Sequence, residues 1–197
     1  MEEGYGEFAV NRIDVLPLGE VPVDLLDGLR AKLPREFQAA CEVLPAEPEP
    51  SYAFNLNRRQ YSSTEILAQL ARRAVPSGSR LVGVTCFDLY IPILTFVFGE
   101  AQLAGPCAIV SAHRLRQEFY GLPPDQPLWR ERVLKEVVHE LGHTFGLGHC
   151  HDYECVMGSS HSVEWIDIKT SHFCGNCRTS IVLPESFRAV AESTNPR

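Results

Sequence analysis

The alternation of apolar and polar positions divides the chain into a long first part that reads as strands and helices and a last part that does not. Val10-Asn11-Arg12-Ile13-Asp14-Val15-Leu16 alternates as a half-buried strand does, and Pro17 closes it. Leu25, Leu26, Leu29 and Leu33 recur at helical spacing and predict a short helix over 24–33. A second strand is expected over 40–44, followed by a loop from Pro45 to Pro50 that its three prolines hold extended. Ser62-Ser63-Thr64-Glu65 then offers a hydroxyl cap and an acidic first turn to a second helix, whose apolar face is Ile66, Leu67, Leu70 and Ala74. Pro76-Ser77-Gly78 stops it.

The strongest strand pattern lies over 80–90, around Leu81-Val82-Gly83-Val84-Thr85, and its apolar character places it centrally. Further strands are expected over 94–98 and 107–111. Asp125-Gln126-Pro127 opens a long helix with core-facing Leu128, Val133, Leu134, Val137, Val138 and Leu141. Strand and helix alternate before several strands follow in succession. That order predicts an α/β (α+β) fold, a mixed sheet with one antiparallel edge strand. The 51 residues after Gly146 are rich in Cys, His, Ser and Gly and show little periodicity. They read as a separate unit, so the expected division is 1–146 and 147–197, with a short helix over 184–191.

The long helix runs into His139-Glu140-Leu141-Gly142-His143-Thr144-Phe145-Gly146-Leu147-Gly148-His149, which fits H-E-x-x-H extended by x-x-G-x-x-H. His139 and His143 are four apart and share one helical face, so two imidazoles can grip one ion from the same side. Glu140 sits one position round, able to reach a water beside that ion without ligating it. His149 cannot join from the same straight helix; the chain must turn back, and Gly146 stands where a left-handed residue can end the helix. Three histidines with an open fourth position form the catalytic arrangement for zinc. The bland alternative is an amphipathic helix with solvated histidines. Chance produces H-E-x-x-H in roughly two chains per hundred, but the full pattern in roughly one per ten thousand, which decides for the metal.

Cys150, Cys155, Cys174 and Cys177 give a C-x₄-C and a C-x-x-C pair. An irregular segment with few apolar residues needs another source of folding energy, and a Cys₄ zinc supplies it. Two disulfides are the rival reading, but such short loops stabilise little. Cys41, Cys86 and Cys107 are read as buried, inert thiols, and His113, His151, His161 and His172 as surface or hydrogen-bonded side chains.

Composition narrows the partners. A net charge of −7 with scattered basic residues argues against nucleic acid. The longest apolar run, near 90–99, is about half a membrane span. Seven cysteines, an odd count, and an acidic start without an apolar signal point to a reducing, cytoplasmic location.

Taken together, His139 to His149, Met157 and the four cysteines resemble the archaemetzincins, a branch of the metzincin clan of zinc metallopeptidases. Cys150 directly after the third His, then Cys155-Val156-Met157 and C-x-x-C, carry the resemblance, which covers residues 139–177; Phe96 to Glu100 and Ser111 to Leu115 are similar more loosely. It implies a metzincin-like sheet over an active-site helix and a small zinc-pinned C-terminal part. It implies two Zn²⁺: a catalytic ion on His139, His143 and His149 with Glu140 as general base and acid, and a structural ion on the four cysteines. Met157 would pack beneath the catalytic ion without ligating it. The antiparallel edge, here placed at 95–99, would pair with an extended peptide or protein substrate. The chain is read as a monomer, with no latency segment ahead of its first strand. The reading from another class is a zinc-holding peptide or protein binder that does not hydrolyse.

Overall fold

Each long strand buries apolar side chains on both of its sides, which forces helices onto both faces of the sheet. The computed structural model describes residues 12–182. In chain order its strands are β1 (Arg12–Leu18), β2 (Ala40–Val43), β3 (Phe54–Asn55), β4 (Gln60–Ser62), β5 (Ser79–Thr85), β6 (Leu89–Tyr90), β7 (Gly99–Ala101) and β8 (Cys107–Ser111). Its α-helices are α1 (Val23–Phe37), α2 (Ser63–Ala71), α3 (Gln126–Thr144), α4 (Val163–Ile168) and α5 (Gly175–Val182). The main sheet has the order β2-β1-β5-β8-β7. Its first four strands are parallel and β7 runs antiparallel to β8. The expected mixed sheet with one antiparallel edge is what the chain builds.

Alternation along the strands sorts the core into two layers. Ile13, Val15, Val82, Val84, Ala108 and Val110 join Leu25, Leu29 and Leu33 of α1 and Val133, Val137 and Val138 of α3. Leu16, Leu18, Leu81, Cys107 and Ile109 pack instead with Ile66, Leu67 and Leu70 of α2. The apolar residues beyond the active-site helix, Val156, Met157, Val163, Ile166 and Phe173, belong to the α1–α3 layer.

Several elements depart from the sequence pattern, each for a visible reason. Val10 and Asn11 lie outside the described residues, as does the helix expected over 184–191. Pro17 does not close β1 but sits inside it, opposite Val84. Its missing N–H points to the β2 flank, beyond the end of β2, where its carbonyl accepts from Glu47 N at 2.9 Å. Helix α1 continues past Leu33, through Pro34, to Phe37. The extra turn buries Phe37 between Phe145, stacked at 5.4 Å, and the edge of Phe173 at 5.6 Å. The strand expected over 80–90 splits after Thr85, and Leu89–Tyr90 leaves for a second, three-stranded sheet ordered β3-β4-β6. The strand expected over 94–98 does not form. The carbonyls of Leu94 and Thr95 are taken by Arg58 and Gln60 side chains, so the edge strand begins only at Gly99. On α3 the large buried residue is Trp129, whose Nε1 donates to Ala112 O at 2.9 Å, while Leu128 is half-buried. Two short helices, α4 and α5, occupy the stretch where no periodicity is visible. Among the described residues no helix is long and apolar enough to cross a membrane.

Among the contacts that join the last part of the chain to α3, one is a tight fit of sulfur against backbone. Met157 is fully buried, and its sulfur fills the notch left by the absent side chain of Gly142. A Cβ at residue 142 would press on that sulfur and lie 3.1 Å from Met157 Cε and 3.2 Å from Phe173 Cε1. Gly142→Ala should therefore destabilise the protein although alanine is worth about 1 kcal/mol in a helix interior, because overpacking costs about 1–3 kcal/mol. A melting temperature lower by about 3 °C is expected, and no such loss when Gly142→Ala is introduced into a Met157→Ala background. A higher melting temperature for Gly142→Ala alone would show that this contact is not tight.

Candidate active site

Helix α3 carries the site to the sheet edge. Asp125 caps it by accepting from Leu128 N at 2.9 Å, and Pro127 sits in the first turn, where its missing N–H costs nothing. The far end closes as Gly146 enters the left-handed region at φ 85. Gly146 N then bonds to His143 O at 2.9 Å and Leu147 N to Gly142 O at 3.2 Å. That reversal returns His149 to the face it left.

His139, His143 and His149 offer ring nitrogens that all lie within 4.8 Å of one another. The buried His139 ring turns Nδ1 to Val156 O at 2.8 Å, and His143 turns Nδ1 to Leu147 O at 2.7 Å. A carbonyl only accepts, so both rings carry their proton on Nδ1 and keep a lone pair on Nε2. The two Nε2 atoms then face each other at 3.1 Å. Two lone pairs at that distance are placed to share one cation. Burial, reinforced by Lys169 and the neighbouring imidazoles, pushes His139 well below its ordinary range despite the Val156 carbonyl. Burial likewise lowers His143 and His149. The rings are thus neutral and ready to ligate, which is the donor set zinc takes.

Glu140 is buried beside them. Burial above all, then the charges of Glu136 and Glu100, raises its carboxyl well above the usual range, with Lys169 opposing. The edge strand runs directly against it: a Cβ at Gly99 would lie 2.6 Å from Glu140 Cγ and 2.7 Å from Oε1. Strand β7 bonds to β8 through Ser111 N to Phe98 O at 2.8 Å and Gln102 N to Cys107 O at 3.0 Å. By alternation, the backbone groups of Gly99 and Ala101 point the other way, toward the cleft. The cleft has a volume of about 710 Å³, and Leu94, Phe96, Gly99 and Leu103 line it on the sheet side. Ser159, Ser160 and His161 face them from beyond Met157.

Two groups here carry no sequence motif. Glu136 lies one turn before Glu140 and lines the cleft, so its face is legible from spacing alone. Lys169, 33 residues on, gives no such signal. Its buried ammonium binds Glu136 Oε1 at 3.2 Å and Gly158 O at 3.1 Å, tying α3 to the chain beyond Met157. His161, read from sequence as a surface side chain, is exposed but lines the cleft.

The four cysteines also converge. Cys150, Cys155, Cys174 and Cys177 place their sulfurs within 4.8 Å of one another, and all are free thiols. Cys150 adjoins His149, and its N–H bonds to Met157 O at 2.9 Å. Cys174 N donates to Cys155 Sγ at 3.3 Å. Backbone donation from Cys177 holds the Cys174 thiol below its ordinary range, whereas burial pushes Cys155 and Cys177 up. A tight cluster of four reduced sulfurs fits a tetrahedral thiophilic ion. Elsewhere, burial raises Cys41 to about 11 and also raises Cys86 and Cys107, as unreactive thiols require. Of these three only Cys107 is fully buried. His172 leans on Glu36 through Nδ1 at 2.6 Å.

Comparison with known proteins agrees with this geometry. The family model for peptidase family M54 matches residues 20–182. The archaemetzincin of Methanocaldococcus jannaschii is 43% identical over 169 residues, covering 85% of this chain and 91% of its own. That of Archaeoglobus fulgidus is 41% identical, covering 86% and 98%. Its crystal structure, complexed with malonate, superposes with a TM-score of 0.74 at 40% identity and covers 86% of this chain and 99% of that one. A zinc-dependent peptidase from Methanocorpusculum labreanum superposes at 0.78 with 31% identity, covering 86% and 99%. With that extent of match in sequence and in fold, the chain belongs to peptidase family M54, the family of these metallopeptidases.

Proposed function

We propose that His139, His143 and His149 hold a catalytic Zn²⁺ and that Glu140 is the general base and acid of peptide-bond hydrolysis. The observation that carries this is the pair of Nε2 atoms facing each other at 3.1 Å, each ring fixed by a carbonyl at its Nδ1. Zinc bound there would polarise a peptide carbonyl and lower the pKa of water. The chain's own groups do the rest. The exposed edge of β7 offers the N–H and C=O of Gly99 and Ala101 to an extended peptide, which lays the backbone along the cleft. Because residue 99 has no side chain, that backbone comes within reach of Glu140. The buried Glu140 carboxylate, a stronger base than a solvated one, takes a proton from the attacking water and delivers it to the leaving amine.

A second Zn²⁺ on Cys150, Cys155, Cys174 and Cys177 is assigned a structural role. All four positions are filled by thiolates, so no site is left for substrate. We take the described residues from 147 to 182 as the part this ion pins, and four cysteines committed to a metal suit a reducing compartment such as the cytoplasm. The hydrolytic reading is favoured over a binding-only one because Glu140 lines the cleft beside the three histidines, where a general base is needed.

Glu140→Gln should keep the fold and full zinc content and lower peptide hydrolysis by about 100-fold or more, since it removes the base and no ligand. Cleavage at the parent rate, measured on a peptide panel with zinc-loaded protein, would exclude Glu140 as base. The two ions should also differ in release. A mild chelator is expected to leave a folded protein with one zinc, held by the cysteines, because the thiolate site opens only with local unfolding. Metal analysis combined with circular dichroism checks this; zinc retained on the histidines and lost from the cysteines would reverse the assignment.

A further inference from the structure

The sheet-side rim of the cleft is apolar and exposed, and its backbone is pinned. Leu94 is 49% exposed and Leu103 is 67% exposed, and both line the cleft with Phe96.

Their backbone is held from two directions. The carbonyl of Leu94 accepts from Arg58 Nη2 at 2.7 Å, and that of Thr95 accepts from Gln60 Nε2 at 2.9 Å and Arg58 Nη2 at 3.1 Å. Gln60 is itself held by Asp88 Oδ2 at 3.0 Å. Asp88 receives Arg114 through Nε at 2.6 Å and Nη2 at 2.7 Å, and the Arg114 guanidinium lies 4.3 Å over the Phe96 ring. At the other end of β7, Ala104 N bonds to His143 O at 3.0 Å, which docks the turn carrying Leu103 on the metal-binding helix. A chain of polar groups thus presents two leucines at opposite ends of the edge strand, along the line an extended peptide would follow.

The charges in the cleft do not offer a competing anchor. Glu100 is engaged by Ser63 Oγ at 2.6 Å and Thr64 Oγ1 at 3.0 Å, and Glu136 by Lys169. The opposite wall, Ser159 to His161, is polar.

We infer that Leu94, Phe96 and Leu103 form the specificity surface of the cleft and select peptides with a bulky apolar side chain, such as leucine, phenylalanine or methionine, close to the scissile bond. The inference rests on the peptidase reading of the same cleft. Burying such a side chain on this rim favours it over serine or aspartate at the same position by about tenfold.

The test uses zinc-loaded full-length protein and peptides of one sequence varied at each position around the cleaved bond, with leucine, phenylalanine, serine, aspartate or lysine. Values of kcat/KM should favour leucine and phenylalanine about tenfold at one or two positions. The double variant Leu94→Ser/Leu103→Ser should reduce that ratio to under about threefold. Binding of the same peptides to zinc-loaded Glu140→Gln protein, followed by calorimetry, should show the same ranking without turnover. A preference for lysine or aspartate, a ratio unchanged in the double variant, or no peptide binding at all overturns the inference. A retained binding preference with no cleavage supports it and overturns the hydrolytic role alone.

Discussion

Two imidazole nitrogens with their lone pairs turned toward each other at 3.1 Å set the terms for the rest of the molecule. Left to themselves they repel; they stay because Val156 O and Leu147 O fix the opposite side of each ring. Neither carbonyl belongs to α3. Both come from the chain that folds back after Gly146, so the two rings are oriented only when that later segment is docked. Met157 in the Gly142 notch and Lys169 on Glu136 hold it there.

Burial gives the arrangement its chemistry. The same removal from water lowers the imidazoles, raises Glu140 and strengthens every charge near them. Lys169 is placed to balance that exchange, since it opposes the rise at Glu140 while its own charge is met by Glu136. A buried pair of this kind adds little net stability but leaves a costly unpaired charge if either partner is lost. Its service is to join the helix and the returning segment at one defined separation.

The sequence displays the donor set plainly, because His139, His143, His149 and the four cysteines are spaced by covalent geometry, and a helix turn or a C-x-x-C loop needs nothing distant to form. The mixed sheet with one antiparallel edge follows almost as well from the succession of strand and helix patterns. What is hidden depends on partners far along the chain. The edge strand starts at Gly99 rather than near residue 95 because Arg58 and Gln60 claim the carbonyls of Leu94 and Thr95. Pro17 survives within β1 because β2 ends before it, and α1 gains a turn because Phe145 and Phe173 wait for Phe37. Lys169 has no local pattern at all; only the folded chain shows it beside Glu136.

The return of the chain after Gly146 has a consequence for the order of synthesis. The ribosome completes the sheet and α3, with His139, Glu140 and His143, before Leu147, His149, Val156 or the C-x-x-C pair has been made. A nascent chain at that stage already holds the cleft-forming strand edge, yet its two imidazoles have no carbonyls to orient them and no third partner. The stretch that supplies the orienting oxygens is the same one that brings in the four thiols, so the histidine site and the cysteine cluster take shape together. On the proposed reading, a chain at that stage lacks the oriented imidazole pair and the third histidine that hydrolysis would use.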